Sequence, residues 1–163
     1  MLVPAILYKD QIEKASKRMM YDDSAFFDSG SVHPSYITIQ RDQNDKKVTY
    51  FEYAIVDDKE ELIGWMRYYI SWYSNQLYIA GITNLTGKPN PIIGFDLYKE
   101  ILRVINTYNI HRVEFRMIGG NPVQRTYDKV CTRFKGTRHE LHDVYRDRHG
   151  EYHDEYIYEI LLN

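Results

Sequence analysis

The 163-residue sequence predicts an α+β fold: a mixed, mostly antiparallel sheet with one central parallel pair, residues 77–83 and 112–118, flanked by helices. Three observations predict it. Aromatic and β-branched runs succeed one another between residues 48 and 83 with short polar breaks, as in an antiparallel meander. A long amphipathic stretch, 91–108, then separates two strand-like runs, the pattern of a right-handed βαβ crossover with parallel strands. A charged hairpin closes the chain.

The elements follow in order. Residues 10–21 (DQIEKASKRMMY) place Ile12, Ala15, Met19 and Met20 on one stripe behind Asp10, a candidate N-cap, and predict a helix. Residues 22–34 are polar and aromatic, with Gly30 and Pro34, and predict a loop or short irregular helix. A short strand over 36–40 and a turn over 42–47 follow. Strands are predicted at 48–56, 62–72 and 77–83, broken by DDKE and by Tyr73-Ser74-Asn75. LTGKPN, 85–90, is a loop. In 91–108, Ile93, Leu97, Ile101, Val104, Ile105 and Tyr108 share one helical face. Asn90 is its predicted N-cap, Pro91 its first residue and Asn109 its exit. Residues 112–118 form a strand, Gly119-Gly120 a bend, and Asn121-Pro122 opens a helix with Val123, Tyr127, Val130, Cys131 and Phe134 on one face. Residues 137–146 and 152–162 close the fold around Arg148-His149-Gly150. With no internal repeat or linker, residues 1–163 read as one domain.

Composition narrows the function classes. A net charge of −2 provides no basic field to hold nucleic acid. A single cysteine, Cys131, excludes an internal disulfide and a cysteine-based zinc cluster and fits a reducing, cytoplasmic setting. Residues 1–8 are apolar but have neither a basic start nor a small-residue cleavage site, so no signal peptide is expected. No run approaches the ~20 apolar residues of a membrane span. Sixteen tyrosines suit half-buried sheet faces and groove walls. GxSxG, Walker and GxGxxG patterns are absent from the sequence. His139 and His142 lie three apart in a predicted strand and face opposite sides, so no metal site is expected.

Two places could carry chemistry. The loop Thr86-Gly87-Lys88-Pro89-Asn90 leads into a helix start, where unpaired N–H groups attract anions, with Gly94 one turn in. It reads either as a phosphate loop or as an ordinary capped turn in which Gly94 serves helix–sheet packing. At Gly119-Gly120-Asn121-Pro122, Asn121 either caps the helix or meets an amide-containing ligand. Tyr127, one turn on, is either a core tyrosine or a proton donor aimed at a crevice.

Together these features resemble the GNAT-type N-acetyltransferase superfamily. The element order matches along nearly the whole chain. The segment IHRVEFRMIGGNPVQRTYDKV looks like the family's fifth strand and following helix. The ending HDVYRDRHGEYHDEYIYEILL is similar to the branch that acetylates ribosomal-protein N-termini. The resemblance implies acetyl-coenzyme A as donor and a primary amine as acceptor, small molecule or peptide; no metal, nucleic acid or membrane partner is expected from the composition, and a homodimer is allowed. The resemblance also allows a non-catalytic relative that binds coenzyme A or a protein partner. The pantetheine would lie between strands 77–83 and 112–118, meeting the backbone at Ile82, Thr83, Asn84 and Leu85, with Asn121 at its amides. The pyrophosphate would sit at Lys88, Asn90 and Gly94. Tyr127 would protonate the thiolate, and a backbone N–H within 82–84 would hold the oxyanion. Glu114 is a candidate base, although strand alternation lets it face either side and a water relay would serve equally. Two features depart from the family pattern. Of its pyrophosphate motif, Pro89-Asn90-Pro91-Ile92-Ile93-Gly94 keeps only the last glycine. Tyr127 lies six residues after Asn121, where the family has seven. The segment after the first helix (Tyr21, Asp22, Asp23, Phe26, Phe27 and Asp28) would either line the acceptor mouth and suit a cationic amine or form a solvated loop with two core phenylalanines.

Overall fold

A computed structural model of the protein describes residues 1–19, 21, 26–29 and 47–162. The chain opens with β1 (Leu2–Pro4), a 3-10 turn (Ala5–Tyr8), α1 (Lys9–Met19) and the short α2 (Phe26–Ser29). The meander is β2 (Val48–Val56), β3 (Leu62–Ser71) and β4 (Gln76–Asn84). Helix α3 (Pro91–Tyr108) crosses over to β5 (Arg112–Ile118). Then come α4 (Gln124–Arg133) and the hairpin β6 (Thr137–Arg146) and β7 (Tyr152–Leu161). The strands form one sheet in the order β1-β2-β3-β4-β5-β7-β6. Every pairing is antiparallel except β4 with β5. This is the predicted mixed sheet with its central parallel pair.

Helix α3 begins and ends where its sequence directs. The Asn90 side chain accepts a hydrogen bond from the Ile92 N–H (3.0 Å), and Pro91 occupies the first helical position. Asn109 leaves the helix in the left-handed conformation (φ 49°), which asparagine tolerates. Its apolar stripe and that of α4 cover one face of the sheet over Met66, Tyr68, Ile70, Leu77, Val113 and Tyr158. Burying each such side chain stabilises the fold by about 1.5–3 kcal/mol. On the opposite face, Ala5 and Ile12 pack on Ala54 and Trp65. Glu100 lies in the α3 stripe and is buried. Tyr68 donates to it (2.6 Å) and ties α3 to β3, while Arg103 of the same helix donates two further bonds (2.7 Å each).

The structure departs from expectation at three element starts. Residues 2–4 pair with β2 as an edge strand, too short for alternation to reveal. Helix α1 opens at Lys9 straight from the 3-10 turn, so Asp10 lies in its first turn and is not the cap. Its carboxylate still complements the helix dipole there. Helix α4 opens at Gln124 rather than at Asn121-Pro122, because Asn121 closes a turn instead. The expected strand over 36–40 and most of the expected segments 22–34 and 42–47 lie outside the described residues. No helix among the described residues is long and apolar enough to cross a membrane.

Candidate active site

The parallel pairing of β4 with β5 is brief. It runs from Gln76↔Arg112 to Ile79↔Phe115 and stops, although β4 continues to Asn84 and β5 to Ile118. The strands part at a β-bulge. Arg67 of β3 faces Gly81, Tyr68 faces Ile79, and Ala80 is the extra residue. An extra residue bends its strand and raises the local twist. Beyond it, β4 stays with β3 and β5 stays with β7, opening a V between residues 80–84 and 116–118. The Leu85 N–H bonds the Ile63 carbonyl (3.0 Å), which fixes the alternation: Ile82 and Asn84 turn their backbone groups away from β3, into the V. A cleft of about 900 Å³ runs through this opening. That volume suits a sizeable organic ligand.

Of the predicted site residues, Ile82, Thr83, Asn84, Asn90, Gly94, Asn121 and Tyr127 line this cleft. Leu85, Lys88 and Glu114 are not among its lining residues. Leu85 has already committed its N–H to Ile63. The Lys88 side chain is exposed, and its carbonyl accepts from Asn84 Nδ2 (2.7 Å) and Thr86 Oγ1 (2.9 Å). Asn84 therefore builds the loop with its side chain while offering its main chain to the V. Gly87 makes that loop possible at φ +68°, a conformation that costs glycine little. Glu114 is buried and bonded by Gln76, Arg112 and Arg116.

At the start of α3, Pro91 offers no N–H and Asn90 takes that of Ile92, so this helix end has fewer free donors than usual. Gly94 is exposed, and a Cβ built there would meet no atom within 4 Å. Helix–sheet packing therefore does not require this glycine; open space lies above it.

On the other side of the V, Gly120 turns the chain at φ +84°. Asn121 is used at both ends. Its Oδ1 accepts from the Val123 N–H (3.0 Å), and its Nδ2 donates to the Phe27 carbonyl (3.2 Å). Asn121 thus shapes the turn and ties it to α2, with one amide hydrogen left over. Tyr127 is half-buried, edge-on to Phe115 at 5.1 Å, and lines the cleft. It packs against the core and borders the cleft at once.

Two groups of lining residues escape a reading of the sequence. One is Ser16, Trp65 and Arg67, on the wall formed by α1 and β3. The other is Arg116, Tyr145 and Glu155, on the wall formed by β5, β6 and β7. Burial, with the hydrogen bond it donates to Glu155 (2.8 Å), pushes the Tyr145 hydroxyl up to about 12. It therefore stays protonated at neutral pH. The other Glu155 oxygen lies 3.5 Å from Arg116. Of the expected acceptor mouth, Phe27 lines the cleft and the Phe26 ring lies tilted against that of His153 at 4.8 Å; Asp22, Asp23 and the side chain of Asp28 lie outside the described residues. Two groups at the hairpin, Glu140–His142–Asp154 and Asp147–Glu151–His153, have the donor atoms of a cation site, but neither borders the cleft. In the second, Asp147 is already used by the hairpin turn, accepting from the His149 and Glu151 N–H groups.

No protein-family model matches the sequence, and no curated protein does. Solved structures do match. A provisionally assigned acetyltransferase from Acinetobacter baylyi ADP1 superposes with a TM-score of 0.68 at 12% identity, over 99% of this chain and 90% of that one. The ribosomal-protein-S18-alanine N-acetyltransferase of Escherichia coli matches over 70% of each chain, with a TM-score of 0.56 and 9% identity. Matches to two further provisionally assigned acetyltransferases cover 69% of this chain but span only 57% and 61% of theirs. With its seven-stranded sheet and single parallel pair, and on these likenesses, the chain has the fold of the GNAT-type N-acetyltransferases.

Proposed function

We propose that the protein transfers an acetyl group from acetyl-coenzyme A to a primary amine, by direct attack in a ternary complex. The observation that carries this reading is the V between β4 and β5, where Ile82 and Asn84 turn backbone groups with no partner strand among the described residues into a long cleft. Unpaired main chain in a cleft needs a partner, and an extended amide-containing arm matches it as a third strand would. Acetyl-coenzyme A supplies an activated thioester when bound. The residues that would hold it are Ile82 to Asn84 along the arm, Asn121 at its amides, and Asn90 and Gly94 at the phosphates. An N–H of the β4 backbone would stabilise the oxyanion that forms on attack. Tyr127 is the candidate donor of a proton to the departing thiolate. The buried thiol of Cys131 fits a cytoplasmic setting for this reaction.

The depleted donor set at the start of α3 favours a second reading, a fold that binds coenzyme A or a protein partner without catalysis. One experiment separates the two. Melting curves with acetyl-coenzyme A should show stabilisation of about 2.7 kcal/mol at ~100 times the dissociation constant. Release of free coenzyme A thiol should then follow addition of an amine. Binding without release selects the second reading, and no shift at millimolar coenzyme overturns both coenzyme-binding readings.

A further inference from the structure

Three buried polar side-chain atoms on one wall of the cleft have no hydrogen-bond partner among the described residues: Ser16 Oγ, Trp65 Nε1 and Arg67 Nε. Ser16 is 6% exposed and Trp65 4%. All three atoms can donate. Leaving such donors unpaired costs about 1–3 kcal/mol each, and more for a charged group. The Arg67 guanidinium lies 4.1 Å above the Trp65 ring, and this cation–π contact orients it. Glycine opposite it, at Gly81, makes the room: a Cβ there would come within 2.7 Å of Arg67 Nη2. Among the described residues, no carboxylate reaches ion-pair distance of Arg67. Glu52, its cross-strand neighbour, acts only through the longer-range field. Burial lowers the Arg67 pKa, with Glu52 offsetting part of the cost. Among the described residues, then, no anion pairs directly with this cation, which stands beside two idle donors.

The opposite wall holds a carboxylate, which lies 3.5 Å from Arg116 of the same wall. There the buried Glu155 carboxylate accepts from Tyr145 and borders the same cleft.

We propose that Ser16, Trp65 and Arg67 form the binding site for a carboxylate of the acceptor, so that the substrate is a small amine that carries its own carboxylate, as an amino acid does. This rests on the transferase reading and narrows it. Arginine pairs with a carboxylate through two parallel hydrogen bonds, and the neighbouring indole and hydroxyl can complete the shell. The acceptor's amine would then point across the V toward the Glu155 wall. An ordinary peptide N-terminus has no such carboxylate next to its amine and would leave the three donors unmet.

The test uses the full-length protein with L-α-amino acids, β-alanine and 4-aminobutyrate, each beside its carboxamide. Transfer is followed by thiol release, and binding by calorimetry with and without coenzyme A. Acids should be preferred over amides at least about tenfold in kcat/KM. Arg67→Gln should bring that preference near unity, raising KM for acids roughly 10–100-fold while amides change little. Gly81→Ala, which meets only the far end of Arg67, should weaken acids selectively in a folded protein. Melting curves confirm folding of both variants. Transfer to amides as readily as to acids, or a preference that survives Arg67→Gln, overturns the carboxylate site and leaves the transferase reading standing. Acid binding that depends on Arg67 without any transfer keeps the site and removes the transferase reading. Neither binding nor transfer overturns both.

Discussion

Gly94→Ala should stabilise the fold while weakening coenzyme binding, and these opposite signs make it a sharp test of the α3 start. Gly94 sits in the first turn and a half of α3, behind Pro91 and the Asn90 cap. A glycine in a helix interior costs about 0.5–1 kcal/mol relative to alanine, because its unfolded chain is freer. The added methyl meets no atom within 4 Å, so no clash offsets that gain. At roughly 2–4 °C per kcal/mol for a chain of this size, the melting temperature should rise by about 1–4 °C. The same methyl fills the space through which a phosphate would approach the helix start. Affinity for acetyl-coenzyme A should fall about tenfold or more, which is about 1.4 kcal/mol. Melting curves without ligand and a calorimetric titration with acetyl-coenzyme A give the two numbers. A lower melting temperature would refute the open space above Gly94. An unchanged dissociation constant would refute a phosphate site there, whatever the stability does.

Tyr127→Phe keeps the ring against Phe115 and removes the hydroxyl, so turnover should drop roughly 10²–10⁴-fold with coenzyme affinity and melting temperature nearly constant. Intact turnover in steady-state kinetics would take the proton donor's role away from Tyr127. Asn121→Asp keeps the acceptor for the Val123 N–H but turns a donor facing the Phe27 carbonyl into a repelling oxygen. A loss of about 1 kcal/mol, or roughly 2–4 °C, should accompany weaker coenzyme binding; an unchanged melting temperature would show that the tie to α2 contributes nothing. Tyr68→Phe removes a bond to an ionised carboxylate and should cost about 1.5–3 kcal/mol at neutral pH. Burial alone would raise the Glu100 pKa, but the bonds from Arg103 and Tyr68 prevail and hold it below the ordinary carboxylate value. That stabilisation is present above the unfolded pKa of ~4.3 and fades as pH falls through the lower folded pKa, so the gap between the two proteins in melting temperature should narrow toward pH 3. A gap that stays constant from pH 7 to pH 3 would contradict the ionised pair.

The parts of the fold that the sequence announces are those set by local chemistry. Asn90, Pro91 and Asn109 bracket α3 through bonds within a few residues, and each acts in the structure as its residue type suggests. Strands β2 and β5 are dense enough in aromatic and β-branched residues to be read residue by residue. Asn121 shows where this ends. Its side chain does engage a nearby N–H, but the Phe27 carbonyl 94 positions away takes its amide, and the helix starts three residues later than the pattern implies. Glu100 escapes notice for a similar reason. A carboxylate within a helix reads as surface until the strand delivers Tyr68 beneath it.

The site divides along the same line. Its location follows from topology alone, since a βαβ crossover places a helix start beside the ends of two parallel strands. The opening of those strands does not, because QLYIAGITN gives no sign that Ala80 is a bulge; that depends on the register with β3. Nor does LIGWMRYYIS distinguish Arg67 from the solvent-facing arginine that strand alternation would make it. Two long-range facts set its position. Trp65 lies beneath it on the same strand face, and a glycine stands at the one position opposite where any side chain would collide with it. Both the bulge and the glycine lie in residues 80–81, so the two residues that open the V also make room for the guanidinium at its edge. The bulge at Ala80 that would admit the coenzyme is therefore the direct chain neighbour of the glycine that gives the guanidinium its space, while a Cβ at Gly81 would meet only Arg67.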